Sequence, residues 1–269
     1  MSYRNLDRPP LDAAALRSAL TGPGRFWTDI VVTGQTGSTN ADVADAARAG
    51  APEGTVHTTD SQSSGRGRLD RVWTSPPGSG AIVSVLLRPD AVPAARWVWL
   101  PLLVGLAVDA TVHECGVDSG LKWPNDVLVD GRKIAGILLE RVETDQGPAA
   151  VIGVGLNISL RKDELPTSTA TSLLLEGATE TDRTIVLRSF LRNLELLYRA
   201  WSASGGDPAA GIRESYVRRC VTIGQQVRVT LPHRDAIEGL ATGIDDSGRL
   251  IVDGHEISAG DVTHVRPKP

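Results

Sequence analysis

Residues 126–143 read DVLVDGRKIAGILLERVE and form the clearest local structural signal in the chain. Asp130 and Gly131 separate two apolar runs, and this residue pair is favoured in two-residue hairpin turns because both positions need a positive φ. A third apolar run, AAVIGVGLNIS at 149–159, follows directly. The segment therefore predicts three adjacent antiparallel strands joined first by a tight hairpin.

Helices and strands are predicted on both sides of this segment, so the fold class is α+β with a mixed central sheet and flanking helices. Residues 160–172 are polar and lack periodicity, which predicts a loop. The other predicted strands are 29–36, 54–60 and 81–88, and the predicted helices lie at 11–20, within 37–50, and at 93–113, 184–201 and 208–220.

The character of the chain changes after Cys220. Short β-prone runs are separated by turn signals such as Asp253-Gly254, which predicts a small all-β domain of the barrel type. The predicted organisation is therefore an N-terminal arm or short helix at 1–27, a main body at 28–220 and the small domain at 221–269.

Composition predicts a soluble cytoplasmic protein. The chain has 269 residues, of which 41% are hydrophobic and 22% charged, with a net charge of −4. The longest apolar run, at 97–108, is shorter than the roughly 20 residues of a membrane span, so it predicts a buried helix. The two cysteines, Cys115 and Cys220, lack ligand spacing and fit free thiols in a reducing compartment.

Residues 62–78, QSSGRGRLDRVWTSPPG, concentrate positive charge on flexible backbone. Glycine lets backbone N–H groups turn toward an anion, and arginine offers planar donors that match carboxylate and phosphate oxygens. The segment is therefore either a solvated turn or an anion-binding loop. It is not a P-loop, because GxxxxGK[ST] is absent from the chain, and GVG at 153–155 lacks the third glycine of a dinucleotide site.

A second cationic segment, KWPND at 122–126, precedes the hairpin. Loop and Lys122 together indicate cations that converge on an anionic centre, as in acyl or phosphoryl transfer. A hydrolytic triad is not indicated, because GxSxG is absent and the five histidines are scattered. Metal-ligand spacings such as HExxH are also missing, so the protein ligands of any metal are unknown.

Four segments resemble biotin–protein ligases in order and spacing: GSTN at 37–40, the arginine loop at 62–78, KWPNDVLVDGRKIAGILLE at 122–140 and GVGLNIS at 153–159. The resemblance covers about 30–265. It implies a catalytic domain of the class II synthetase-like type with a C-terminal SH3-like barrel. It also implies two half-reactions, in which biotin and ATP form biotinyl-5′-AMP and the biotinyl group then moves to a lysine of a carrier domain.

The resemblance also implies the residues of the site. Lys122 and Arg68 would be catalytic, with the lysine between the biotin carboxylate and the α-phosphate. The implied biotin-binding residues are Ser38, Thr39, Asn40, Gln62, Gly65, Arg66, Gly67, Arg68, Lys122, Gly153 and Gly155.

A second group is implied for ATP and the adenylate, with ATP and Mg²⁺ as co-substrate and ion and no tightly bound cofactor. Trp73 would form a wall of the site and Asn157 would approach the adenine. The implied ATP- and adenylate-binding residues are Arg66, Arg68, Arg71, Trp73, Lys122, Lys133 and Asn157.

Two features depart from the family pattern. Asp70 stands where a third glycine is usual before the last arginine. Some members carry an N-terminal winged helix-turn-helix of about 60 residues, whereas 37 residues precede Ser38 here, which predicts no DNA binding. The expected partner is a biotin carboxyl carrier protein or domain of acyl-CoA or pyruvate carboxylases, and no membrane association is expected. The expected oligomeric state is a monomer or a ligand-dependent homodimer.

Two other functions remain open from the residues. Lipoate- or octanoyl-transferring enzymes share the implied fold but lack the combination of GRGR and KWPND. A non-catalytic nucleic-acid-binding module could use the basic loop, although the net charge of −4 argues against it.

Overall fold

The structure is a computed structural model that describes residues 8–69, 71–231 and 235–265. Asp70, whose effect on the loop is a question raised by the sequence, lies outside the described residues. The helices are α1 (Ala13–Leu20), α2 (Thr39–Arg48), α3 (Leu100–Glu114), α4 (Arg183–Ala203) and α5 (Ile212–Arg219), with short 3-10 helices at Ala94–Trp99, Lys162–Glu164 and Pro208–Ala210.

The strands form two sheets. In the first sheet β1 and β2 are parallel and the other pairs are antiparallel, so the predicted mixed sheet is confirmed. Its seven strands are β1 (Asp29–Thr33), β2 (Thr55–Thr59), β3 (Gly80–Leu87), β4 (Gly120–Lys122), β5 (Asp126–Val129), β6 (Arg132–Thr144) and β7 (Gly147–Asn157), in the order β1-β2-β3-β7-β6-β5-β4.

The predicted hairpin is present between β5 and β6. Asp130 and Gly131 have φ of 48° and 75°, the positive values that this two-residue turn needs. A bulge between Val127 and Leu128 shifts the register along β5. β6 then pairs with β7 from Ala135 opposite Leu156 to Thr144 opposite Gly147, so the third predicted strand is also confirmed.

Alternation along the strands separates two faces of the sheet. On β7, Ile152 and Val154 enter the large core together with α3 and α4. Gly153 and Gly155 point to the opposite face, the one that α2 covers with Val43. The face under α2 is thus lined with small residues, and it is the face on which the site lies.

Helix α3 is the predicted buried helix. With the preceding 3-10 turn it spans Ala94–Glu114, which is long and apolar enough to cross a membrane by length and composition, but 72% of its most apolar stretch is buried inside the protein. Residues 8–37 form α1, β1 and their connections and pack on α4 and β2, which is not a helix-turn-helix arrangement.

The second sheet confirms the predicted all-β segment and shares the large core. Trp99 Nε1 donates to the Asp246 carbonyl oxygen (2.8 Å) and Trp123 Nε1 to that of Gly248 (3.0 Å). Two tryptophans of the main body therefore hold, by hydrogen bonds, the turn at 246–248 between two strands of the second sheet. Its strands are β8 (Gln226–Thr230), β9 (Ile237–Ile244), β10 (Leu250–Val252), β11 (His255–Ile257) and β12 (Asp261–His264), in the order β11-β10-β9-β8-β12.

The Trp123 hydrogen bond predicts how the two sheets come apart. Trp123→Phe keeps the ring but leaves the buried Gly248 carbonyl without its donor, at a cost of about 1–3 kcal/mol. We expect faster backbone hydrogen exchange in β8–β12, measured by mass spectrometry. Trp97→Phe is the control, because Trp97 Nε1 donates within the main body, to Val92. Equal rates of backbone hydrogen exchange in β8–β12 of the two variants would contradict the role of the Trp123 hydrogen bond in holding the second sheet to the main body.

Candidate functional site

A cavity of about 270 Å³ lies on the α2 face of the first sheet. Its floor is formed by β6 and β7, one wall by the start of α2, and its roof by the arginine segment. Gly260 and Asp261 of the C-terminal domain complete the lining. The cavity is therefore a joint product of both domains.

The start of α2 is held by polar side chains that face the cavity. Ser38 is the N-cap residue by backbone conformation, and its side chain makes no capping hydrogen bond. Gln62 Oε1 accepts from the Thr39 backbone N–H (2.8 Å) and hydroxyl (3.1 Å). Ser84 Oγ lies 2.7 Å from Thr39 Oγ1 and donates to Asn40 Oδ1 at 2.6 Å. These buried groups form a pre-set polar end of the cavity.

The glycines of β7 allow side chains to approach the sheet closely. A Cβ at Gly153 would lie 2.1 Å from Asn40 Oδ1, and one at Gly155 would lie 2.3 Å from the Trp73 ring. Real Cβ contacts are essentially never this short, so a larger residue at either position would push Asn40 or Trp73 away from the sheet. The Trp73 ring thus lies close against Gly155 on the floor of the cavity.

The arginine segment folds into a small hairpin over the cavity, here named the roof hairpin (residues 65–69 and 71–73). The Trp73 N–H donates to the Gly65 carbonyl (2.9 Å) and the Gly67 N–H to that of Arg71 (2.6 Å). Arg66 and Val72 form a bridge between its two sides. The roof hairpin is therefore a structured element rather than a solvated turn.

Each arginine of the roof hairpin has a polar partner. Arg66 Nη2 pairs with Glu140 Oε2 at 3.0 Å. Arg68 Nη1 donates to Asn125 Oδ1 at 3.0 Å. Burial lowers the pKa of the Arg68 guanidinium from its ordinary value, and the carboxylate charge of Asp126 offsets part of this effect. Arg68 is thus a desolvated cation that would gain from an anionic ligand.

The third arginine links the roof hairpin to the C-terminal domain. Arg71 forms a two-point ion pair with Asp261 of β12, which raises the pKa of Arg71 through the hydrogen bond. Its side chain is nevertheless 60% exposed, so the pair contributes little to stability. Arg71 is therefore available to another anion at the cavity.

Lys133 supplies a fourth cation, from the floor. Its Nζ is 2.6 Å from Asp126 Oδ1, an oxygen without a hydrogen-bond partner of good geometry, and 5.6 Å from the centre of the Trp73 ring. The Lys133 backbone donates to Thr169 (2.7 Å) and accepts from Thr171 (2.9 Å). The 160–172 loop is thus fastened to the strand that carries this lysine.

The structure brings most of the predicted residues together at the cavity, and the two exceptions are Gly65 and Lys122. Gly65 lies behind the lining, where a Cβ would meet the Trp73 carbonyl at 2.4 Å. Asn157 lines the cavity, and its Nδ2 donates to the Thr171 carbonyl at 2.9 Å. The predicted residues that line the cavity are Ser38, Thr39, Asn40, Gln62, Arg66, Gly67, Arg68, Arg71, Trp73, Lys133, Gly153, Gly155 and Asn157.

Lys122 is the second exception. It ends β4 and is not among the residues that line the cavity. Its charge is felt at His264, where burial and then the Lys122 charge lower the pKa of the imidazole. Lys133, two residues after the hairpin turn, occupies the floor position.

Comparison with known proteins finds two family matches along the chain. Residues 34–157 match the biotin/lipoate A/B protein ligase family, and residues 222–265 match the biotin protein ligase C-terminal domain. A biotin–[acetyl-CoA-carboxylase] ligase of Mycobacterium tuberculosis is 42% identical over 275 residues, which cover 99% of this chain and 100% of that protein. The chain belongs to the biotin protein ligase family.

Two further relatives agree. The bifunctional ligase/repressor BirA of Bacillus subtilis is 34% identical over 246 residues, covering 90% of this chain and 73% of that protein. Biotin protein ligase from Aquifex aeolicus in complex with biotin and ATP superposes with a TM-score of 0.75 at 25% identity, covering 90% of this chain and 100% of that one. The predicted fold class is confirmed, and the chain is an ATP-dependent biotin–protein ligase rather than a nucleic-acid-binding module.

Some lining residues of this ligase were not identified from the sequence. Asn125 and Asp126 belong to the KWPND motif, and their polarity beside a predicted turn was a usable signal. Gly136 is opposite Gly155 on the sheet, and a Cβ there would be 3.0 Å from Lys133 Nζ. Asp261 had no local signal, because only the packing of the two domains brings it to the cavity.

The floor of the ligase site yields a direct test. Gly155→Ala places a methyl group where the Trp73 ring lies and pushes the ring into the cavity, an overpacking cost of about 1–3 kcal/mol. We expect ATP and biotin, titrated by calorimetry, to bind about tenfold more weakly. Gly243→Ala in β9 is the control, because nothing lies within 4 Å of its Cβ position. Wild-type affinity in Gly155→Ala would contradict the assigned floor.

Proposed function

We propose that both half-reactions of this ligase take place in the cavity under the roof hairpin. The observation that carries this proposal is that four cations line one cavity of about 270 Å³: Arg66, Arg68 and Arg71 from the roof hairpin and Lys133 from β6. Biotin carboxylate and ATP repel one another, so their reaction requires such a concentration of positive charge. The carboxylate oxygen attacks the α-phosphorus, pyrophosphate leaves, and the carrier lysine then attacks the acyl carbon and releases AMP.

Lys133 is proposed as the catalytic lysine in place of Lys122. Its side chain lines the same cavity as the polar end at α2 and Asn157, and its backbone bonds to the 160–172 loop. It would contact the carboxylate and the α-phosphate together once it leaves Asp126. Such a preorganised cation stabilises the charge that develops during transfer.

The polar end at α2 is proposed to bind biotin, and the roof hairpin to close over the adenylate. Ser38, Thr39, Asn40 and Gln62 offer fixed donors and acceptors there, and the glycines of β7 leave room for the ring system. Arg68 is proposed to retain the adenylate, because it is partly buried whereas Arg66 and Arg71 are exposed. The closed roof hairpin is proposed to exclude water from the mixed anhydride until the carrier lysine binds.

The site is suited to Mg²⁺ that arrives with ATP. The described residues contain no group of three or more His, Cys, Asp or Glu side chains that could hold a metal ion. Mg²⁺ normally takes one or two carboxylates and completes its shell with phosphate oxygens and water. Asp126, whose buried Oδ1 is ion-paired with Lys133 but lacks a hydrogen bond of good geometry, would be its carboxylate here. When bound, the ion would neutralise charge on the leaving pyrophosphate.

The proposed acceptor is a lysine of a biotin carboxyl carrier domain, as the names of the Mycobacterium and Paracoccus relatives support. The C-terminal domain is proposed to assist carrier transfer, because Gly260 and Asp261 reach the cavity beside the roof hairpin. Cytoplasmic location, absence of DNA binding and a monomer or ligand-dependent homodimer are part of the same proposal.

Variants of Lys133 and Lys122 test the proposed function. Wild type should form biotinyl-5′-AMP from biotin and ATP and should label an added carrier domain. Lys133→Ala should slow adenylate formation about a hundredfold, as expected when one preorganised charge is removed. Lys122→Ala should stay within about threefold of wild type, because an interaction outside the cavity adds no transition-state stabilisation.

Rapid-quench measurement of adenylate separates these outcomes. Loss of activity in Lys122→Ala with full activity in Lys133→Ala would reverse the assignment. Failure of wild type to form adenylate with both substrates present would overturn the proposed function itself.

A further inference from the structure

Glu140 is a carboxylate at the edge of the site that neither the reaction nor the family resemblance assigns. It continues the row of β6 side chains that begins with Gly136 and Leu138, since alternate residues of a strand share a face. Gly136 and Leu138 line the cavity, and Leu138 and Glu140 also line the outer groove beneath the roof hairpin. Glu140 therefore stands where the floor meets the roof.

One oxygen of Glu140 serves two elements of the site. Its Oε2 accepts from Asn40 Nδ2 at 2.7 Å and from Arg66 Nη2 at 3.0 Å. Asn40 is buried and belongs to α2, whereas the Arg66 side chain is 49% exposed and belongs to the roof hairpin. A single atom thus joins the proposed biotin-binding end to the roof.

Glu140 also determines which end of the Asn40 amide faces Ser84. The Ser84 hydroxyl can donate or accept, so it would tolerate either orientation of the amide. A carboxylate accepts only, so it requires Nδ2 on its own side and leaves Oδ1 for Ser84 at 2.6 Å. The orientation of a cavity-lining amide is therefore set from outside the cavity.

The same contact closes a hydrogen-bonded circuit around the base of the roof hairpin. Gln62, at the entry of the hairpin, bonds to Thr39, which contacts Ser84, and Ser84 bonds to Asn40. Glu140 then completes the path to Arg66, four residues beyond Gln62. The entry side of the hairpin is consequently connected to the start of α2 at two positions, Gln62 and Arg66.

We propose that Glu140 is a positioning residue that couples biotin binding to the roof hairpin by holding Asn40 and Arg66 on one oxygen. The proposal rests on the proposed function, in which Asn40 and Arg66 contact biotin. The half-exposed ion pair alone contributes little to folding, so its role is geometric. Loss of Glu140 would leave Asn40 and Arg66 acting independently of one another.

A double-mutant cycle tests this coupling. Biotin titration by calorimetry would compare wild type, Asn40→Ala, Arg66→Ala and their combination, with Glu140 present and in Glu140→Ala. With Glu140, the double variant should weaken binding at least about threefold less than the product of the single effects, because either change breaks the shared contact. In Glu140→Ala the two effects should multiply to within about twofold.

Two further variants show that the effect belongs to this contact. Glu140→Gln keeps an acceptor oxygen for both donors and should bind biotin within about threefold of wild type, whereas Glu140→Ala should bind about tenfold more weakly. Glu143→Gln, an exposed carboxylate on the same strand, is the matched control and should bind as wild type does. Unfolding temperatures should be similar in all of them.

The outcomes separate this inference from the proposed function. Independent effects of Asn40 and Arg66 with Glu140 present, or a coupling that persists in Glu140→Ala, would overturn the positioning role alone. Absence of biotin binding in wild type would overturn the proposed function and the positioning role together.

Discussion

The arrangement of this ligase depends on one electrostatic constraint, which is that four cations must share a small cavity before any anionic substrate arrives. Like charges at such distances repel strongly in a partly desolvated site. The protein meets the constraint by giving each cation its own partner from another element. The pairs are Arg66 with Glu140, Arg68 with Asn125, Arg71 with Asp261 and Lys133 with Asp126.

These partners also explain the architecture around the site. Glu140 and Asp126 require the β5–β6 hairpin, and Asp261 requires the C-terminal domain to dock beside the roof hairpin. The docking is secured by tryptophan donors from the main body, Trp99 and Trp123, into carbonyls of the second sheet. In the proposed function, substrate binding exchanges these protein partners for ligand oxygens, and the cations are already aligned so that little reorganisation remains.

Much of the fold could be predicted from the sequence, because the decisive signals are local. Asp130-Gly131 specifies its turn through two positive φ angles, and the continuous apolar run at 149–156 predicts the buried strand β7. The long apolar helix was predicted as a core helix from its length. Residue types alone left the arginine segment as either a solvated turn or an anion-binding loop, and they did not predict its hairpin structure.

The placement of side chains was less predictable, because it depends on register and on contacts between distant segments. Lys122 and Lys133 both lie near strand ends, and only Lys133 is among the residues that line the cavity. Asp261 lies 190 positions from Arg71 and carries no local pattern. Glu140 resembled an ordinary exposed strand residue until the start of α2 and the roof hairpin were brought to it.

The most direct test of the central claim is a crystal structure with a non-hydrolysable biotinyl-adenylate analogue. The measured quantity is the distance from Lys133 Nζ to Asp126 Oδ1, now 2.6 Å, and to the acyl-phosphate oxygens of the analogue. The account predicts that Lys133 leaves Asp126 for those oxygens while the roof-hairpin arginines turn toward the phosphate. A complex in which Lys133 stays on Asp126 and Lys122 contacts the acyl phosphate would contradict it.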